Sequence, residues 1–246
     1  MFRKSVLTVV LTCATLSGVA GSASSEPASD DPIAAFTKLA AYISTNPLDF
    51  ETSFSSRSAI LDTEFLNGKA RIIAARPNLL RLDTTSSKGS FLVISDGTTL
   101  TILDRSSNKY AQTSAKPSLG ATVNLFTGLI VVEPQTLLFL DAVQAVATGQ
   151  ASAQASVSGT ESIGGRTCKQ FMVAGSDGAT WEAWLEAKEI PLPCKLVGRD
   201  SDDPGATVQT NEFTWAPDAA QSADTFKFTP PQASKQVDFG DLGLPD

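Results

Sequence analysis

Histidine is absent from all 246 residues of this chain. That absence removes Ser-His-Asp and Cys-His catalysis, imidazole metal sites and any pH switch built on imidazole. Cysteine is scarce, with three residues at Cys13, Cys168 and Cys194. Positive charge is thin: 19 Lys and Arg stand against 26 Asp and Glu, for a net charge of −7. The basic residues are scattered without a stripe, so nucleic acid is not an expected partner. Beyond the N-terminus, no apolar run approaches the roughly 20 residues that cross a bilayer as a helix. What remains, 42% hydrophobic and 18% charged, is the composition of a globular protein. The length suits one large all-β domain or two small ones.

The N-terminus reads as a secretory signal. Arg3 and Lys4 precede a short apolar run from Ser5 to Leu16, and small residues follow around Ala20-Gly21-Ser22-Ala23. Cleavage is expected after Ala20 or Ala23, leaving residues 24–246 as a single soluble, exported domain with a polar C-terminal tail. The loss of Arg3 and Lys4 takes the charge from −7 to −9. Leu11-Thr12-Cys13 carries Thr where a lipobox has Gly or Ala, so lipidation at Cys13 is not expected. Cys168 and Cys194 then remain. An even pair in an exported chain points to a disulfide; two separate buried thiols are the alternative.

The periodicity changes along the chain. Ile33, Phe36, Leu39, Ala40 and Ile43 fall at helical spacing after Asp30-Asp31-Pro32, and Asn46-Pro47 ends the pattern. This predicts an amphipathic helix over 32–45. From Phe50 the period is two, with about six strands up to residue 114. Asn67-Gly68 suggests a turn or bulge, and Asp96-Gly97 a type I′ hairpin. Residues 118–150 are apolar with few charges. They predict a helix over 134–147, hydrophobic on most of its surface, preceded by a second helix or apolar loop over 119–132. Strands return after Ala151, with a second hairpin turn at Asp177-Gly178 and a last short strand in "ADTFKFTPP". Phe239 and Leu242 would tack down the tail.

About eleven strands with two helical segments describe a mainly β, α+β fold. It is a single large curved antiparallel sheet, an unclosed half-barrel, whose inner face only the helices can cover. Such a layer pair encloses either a packed core or a ligand cavity.

Candidate chemistry is sparse. Ser106-x-x-Lys109 matches the spacing of a serine nucleophile with a lysine base. That motif needs a helix start, whereas here it sits between extended runs and reads as a turn. Trp181 and Trp184, three apart on a strand, point to opposite faces, with Trp181 toward the concavity. Cys168 and Cys194 begin strands separated by the Trp strand. Across one intervening strand they would stand about 9.5 Å apart, too far to bond, unless the strand ends bend together. No catalytic residue, metal ligand or cofactor is expected.

The stretch "AARPNLLRLDTT…FLVISDGTTLTILDRSSNKYAQ" resembles the signature of the periplasmic lipoprotein carriers LolA and LolB and relatives sharing their fold. The matching residues are Arg76-Pro77, Leu80-Arg81-Leu82, Val93 to Gly97, Leu100 to Asp104, and Tyr110. Leu103 stands where the carriers usually hold Tyr. The second half, "GRTCKQFMV…TWEAWLEAKEIPLPCKLV…TFKFTPP", is similar to predicted periplasmic proteins of unknown function with this fold. The resemblance implies a non-enzymatic periplasmic carrier or binding module for a lipid, an acylated protein or another hydrophobic ligand. Transient membrane contact is compatible with that role. It implies a cavity lined by Phe36, Leu39, Ile43, Leu80, Leu82, Val93, Leu137, Leu140 and Trp181. In the carriers the arginine matching Arg76 hydrogen-bonds the lid, which implies that Arg76 latches the apolar midsection. RseB-type proteins share the fold, and they imply the alternative of an envelope sensor or scaffold that binds another protein.

Overall fold

The structure is a computed structural model and describes residues 31–58, 63–126, 135–148, 153–175, 180–199, 207–216 and 222–242. The expected signal peptide and Asp177-Gly178 lie outside these residues.

Helix α1 spans Pro32–Thr45. Asp31 caps it, its Oδ1 accepting the Ile33 N–H at 2.9 Å, and Pro32 occupies a first-turn position where its missing N–H costs nothing. Its apolar stripe, Ala35, Phe36, Leu39, Ala40 and Ile43, is buried. The strands are β1 (Leu48–Ser58), β2 (Thr63–Ala75), β3 (Leu79–Ser86), β4 (Gly89–Asp96), β5 (Thr99–Asp104) and β6 (Lys109–Ser114). Helices α2 (Leu119–Asn124) and α3 (Gln135–Ala147) follow, then β7 (Ala153–Ile163), β8 (Arg166–Gly175), β9 (Thr180–Glu186), β10 (Pro193–Arg199), β11 (Thr207–Trp215) and β12 (Lys235–Gln236). All twelve strands form one unclosed sheet in the order β12-β6-β5-β4-β3-β2-β1-β11-β10-β9-β8-β7. Two meanders, β2 to β6 and β7 to β11, meet where β1 pairs antiparallel with both β2 and β11.

One face carries the main core. Phe50, Phe54, Ile72, Leu80, Leu82, Val93, Leu100, Ile102, Phe171 and Leu196 from the sheet join the apolar faces of α1, α2 and α3 in a single cluster. The outer face carries charged residues and two small clusters, around Trp184 with the cysteines and around Leu92, Ile94 and Leu103. Period-two alternation thus sorts β1 and β3 between a greasy and a polar side, whereas β4 and β5 are buried on both faces.

For 119–132 the helical alternative holds at its start, as the short helix α2, and among the described residues the cover has three α-helices; other expectations are corrected. Asn67-Gly68 makes no turn: it lies within β2, and a Cβ on Gly68 would come within 2.5 Å of the Thr85 carbonyl oxygen and 2.6 Å of the Phe54 ring. Glycine is there for close approach of strand and ring. The irregularity lies just upstream, where Leu66 pairs Ser56 but Glu64 pairs Arg57. At β4–β5 the positive φ belongs to Gly97 and not to Asp96, which excludes the type I′ turn. Asp96 instead uses Oδ1 to accept the N–H groups of Thr98 and Thr99, at 2.8 and 2.7 Å.

The segment from Ala223 forms no strand but a 3₁₀ turn, Ala223–Phe226. Arg81 donates to the Thr225 carbonyl, and the Phe228 ring packs at a tilt against Tyr110, with centroids 5.1 Å apart. The tail then adds β12 parallel to β6, which makes the sheet mixed and its strands twelve rather than eleven. Leu242 ends buried in the main core. The tail therefore crosses from the outer face around the β6 edge, and its pairing with Lys109 and Tyr110 shortens the free ladder that this edge offers to other chains.

Candidate functional site

The helical cover is tied to the sheet where β2 ends. Arg76 follows the last residue of β2, and the Arg76–Pro77 peptide is cis. Asn78, buried in the same turn, donates through Nδ2 to the carbonyls of Gly97 and Lys116, at 2.9 and 2.8 Å. It thereby joins the β2–β3 corner to the β4–β5 turn and to the segment entering α2. Ser118 caps α2 by accepting the Ala121 N–H, and Thr122 holds its start by exchanging hydrogen bonds with Lys116. α2 is thus positioned beside Arg76.

Arg76 reaches α3. Its Nη1 donates to Asp141 Oδ1 at 3.0 Å, with the two side chains 22% and 33% exposed. Asp141 is the sole charged residue of α3, whose sequence is QTLLFLDAVQAVA. Its Oδ2 lies against Gly120 of α2, where a Cβ would come within 1.7 Å of that oxygen. Any side chain at 120 would displace the carboxylate. Strand corner, α2 and α3 therefore meet at one carboxylate. The Nε and Nη2 of Arg76 are shielded from solvent and have no acceptor among the described residues. A second tie joins α3 to α1, where Gln144 Nε2 donates to Ser44 Oγ at 2.9 Å.

Of the residues expected to line a cavity, Phe36, Leu39, Ile43, Leu80, Leu82, Val93, Leu137 and Leu140 come together in the main cluster, each almost fully buried. They pack on one another under the helices. Trp181 stands at the margin, half-buried, its ring 6.1 Å from that of Phe139 on α3. Trp184 lies on the opposite face with the cysteines. Asp141 and Gly120 were not anticipated. The signal for Asp141 was present: a lone charge in an otherwise uncharged apolar helix needs a partner.

Cys168 and Cys194 are bonded, with Cα atoms 6.5 Å apart. The geometry that separates alternate strands is evaded by a slip: Pro193 pairs Leu185 but Lys195 pairs Trp184, so Cys194 sits in a bulge. Cys168 pairs Glu186, the last residue of β9, so at this level β10 can lean toward β8. Glu186 is closed off by Arg166 at 3.1 Å and Lys188 at 2.7 Å.

Ser106 and Lys109 flank a turn. Asp104 accepts the Ser106 N–H at 2.8 Å and the Ser107 hydroxyl at 2.6 Å, and Asn108 has a φ of 55°. The two residues are not on a helix, so the nucleophile arrangement is not formed. An open groove of about 810 Å³ lies at the other end of α1, bounded by Tyr42, Ile190, Phe213 and Trp215 with Arg166, Glu189 and Glu212. Among the described residues no helix is long and apolar enough to cross a membrane.

No curated protein matches the chain. Among solved structures it is similar to LprF from Mycobacterium bovis, at 10% identity and a TM-score of 0.49, over 85% of this chain and 100% of the other. It is also similar to an uncharacterized conserved protein from Thermus thermophilus, at 11% identity and a TM-score of 0.48, over 83% and 96%. A LolA superfamily protein from Nitrosomonas europaea aligns at 8% identity and a TM-score of 0.34, over 80% and 96%. At such identities the likeness is one of fold alone. The sequence itself is more specific: residues 44–240 match the model of a family described as "Predicted periplasmic protein (DUF2092)". The chain belongs to this DUF2092 family, and its compartment is the periplasm.

Proposed function

We propose that this protein is a non-enzymatic periplasmic binding module that takes a hydrophobic ligand, a lipid or an acyl chain, between its sheet and its helical cover. The signal peptide 1–23 is removed and residues 24–246 act as one domain. The observation that carries the reading is the fastening of the cover. An otherwise apolar layer is held to the β2 corner through one ion pair, Arg76 to Asp141. With the cover in place, Leu137 and Leu140 of α3 share one buried cluster with Leu80, Leu82 and Val93. A ligand would enter by lifting α2 and α3 together, since Gly120 and Asp141 interlock them. An acyl chain then replaces the apolar area that the helices give up, at about 25 cal/mol per Å² on either side of the exchange. The polar cost of opening then falls on the Arg76–Asp141 pair and on the Gln144–Ser44 bond to α1.

The test is binding of a neutral fluorescent probe, N-phenyl-1-naphthylamine, to wild type and Arg76→Leu. The expected result is tighter binding by the variant, by several-fold. Unchanged affinity would sink the latch, and no binding by either form would sink the carrier reading. A second reading, an envelope sensor or scaffold that docks another protein, is favoured by a different observation: the described residues expected to line a cavity are packed in one buried cluster, while the groove beside Tyr42 and Trp215 is open. It predicts site-specific crosslinks to one envelope protein from position 190 in cells, with no probe binding.

A further inference from the structure

We propose that Arg76 also recognises the head of the ligand, and that this ligand is a single-chain amphiphile with an anionic head, a carboxylate or a phosphate monoester. The inference rests on the binding-module reading and names its ligand class.

The guanidinium of Arg76 has two working edges. Nη1 is engaged by Asp141. The other edge, Nε with Nη2, is buried and has no acceptor among the described residues. Two donors of a cation so placed are costly, because the charge has lost its water and gained half a set of partners. The Nε–Nη2 pair is also the edge whose parallel N–H bonds match the two oxygens of a carboxylate or phosphate. This protein uses that edge in the same manner elsewhere. Arg71, earlier on β2, donates from Nε to Asp49 Oδ1 at 3.3 Å and from Nη2 to Asp49 Oδ2 at 3.1 Å. Arg76 presents the same fork at the margin of the main apolar cluster.

The two edges are independent. A head on Nε and Nη2 leaves the Nη1 contact with Asp141 in place, so a bound anion adds to the latch and the cover closes over the chain. Asp141 is itself 33% exposed, which moderates its repulsion of a second anion. A neutral head leaves the fork unmatched, and a cationic head is repelled by it.

The experiment is displacement of N-phenyl-1-naphthylamine from full-length mature protein by palmitate, hexadecyl phosphate, hexadecanol and hexadecylamine, below their aggregation limits. Acetate and inorganic phosphate serve as heads without chains. Palmitate and hexadecyl phosphate should displace the probe at concentrations about tenfold below hexadecanol, as expected for a charge-assisted bidentate pair. Hexadecylamine should be the weakest chain, and the short anions should do nothing. Arg76→Gln should erase the preference for the acid while still binding hexadecanol. Because that variant alters the latch, Asp141→Asn provides the second arm: the fork remains, and the anion preference should persist or grow. Equal displacement by palmitate and hexadecanol, or a preference that survives Arg76→Gln, overturns the head assignment and leaves the binding module standing. Displacement by inorganic phosphate alone, lost in Arg76→Gln, overturns the amphiphile in favour of a free-anion site. Failure of every chain to displace or bind overturns both readings.

Discussion

Arg71 and Arg76 come from the same strand region and meet opposite fates. Arg71 lies on the outer face of β2, half its side chain in water, and is fully forked onto Asp49. Arg76 lies under the helices, mostly shielded, and is joined to Asp141 by one bond. The same contrast runs across the two faces. On the outer face Arg105 closes on Asp83 with bonds of 2.6 and 2.8 Å, Arg199 meets Glu182, and Arg166 with Lys188 neutralises Glu186. The helix-covered face holds an apolar core, with Arg76 at its margin and half of that guanidinium without an acceptor among the described residues. Ion pairs on an outer surface are cheap to make and complete. A buried cation left incomplete is expensive, and its persistence points to a use. The lesson is that satisfaction, and not charge, separates the structural arginines from the candidate functional one.

The contrast yields three tests on the outer face, each of which should change stability and leave ligand preference alone. The largest effect belongs to the disulfide. Replacing both cysteines, Cys168→Ser with Cys194→Ser, should cost about 2–4 kcal/mol by urea unfolding, as for a loop of this order. Palmitate should still displace the probe better than hexadecanol. If the preference vanished along with the disulfide, the two faces would not be independent. Next comes Arg71→Gln, which strands the carboxylate of Asp49, itself only 6% exposed. The expected loss is about 1–2 kcal/mol for a charge-assisted bond at a partly wet site, again without effect on ligand choice. A shift in ligand preference here would mean that Arg71 and Arg76 are coupled, and would break the comparison.

The smallest effect concerns pH. Hydrogen bonding from Arg105 holds the Asp83 carboxyl below its ordinary value, against the opposing effect of burial. A depressed folded value means that the contribution is fully present above the unfolded pKa, about 3.9. It is lost as pH falls through the folded value. Both side chains are over a third exposed, so the contribution is below about 1 kcal/mol. Arg105→Gln should lower stability at neutral pH by that small amount and converge on wild type as pH falls through the folded value of Asp83, which slightly flattens the acid limb of a stability–pH curve. An Arg105→Gln curve that tracks wild type throughout the acid range would show that this pair contributes nothing.

Much of the architecture was legible because its signals are local. The stripe Phe36, Leu39, Ile43 announces α1, and Asp31-Pro32 and Asn46 bracket it. The alternation through Leu80 and Leu82 assigns those residues to one face. Ser106 to Lys109 could be read as a turn because its neighbours are extended. The errors have physical causes. Gly68 looked like a turn signal, but glycine also serves close approach, and only the Phe54 ring and the β3 backbone reveal which. The Phe226–Phe228 segment has the alternation of a strand, yet it finds no ladder partner and lies across the outer face instead. The disulfide was open in the sequence because a one-residue slip at Cys194 cannot be read from spacing.

The chain by itself determined the exported class, the order of elements, the apolar side of each and the exclusion of imidazole chemistry, since composition and period depend on neighbours along the sequence. Only the tertiary structure decided which carboxylate Arg76 meets, 65 positions away. It also decided why residue 120 must lack a side chain, how the tail rounds the β6 edge, and which edge of one guanidinium stays open. Those are properties of contacts between distant segments, where a shift of an ångström separates a satisfied donor from an unsatisfied one.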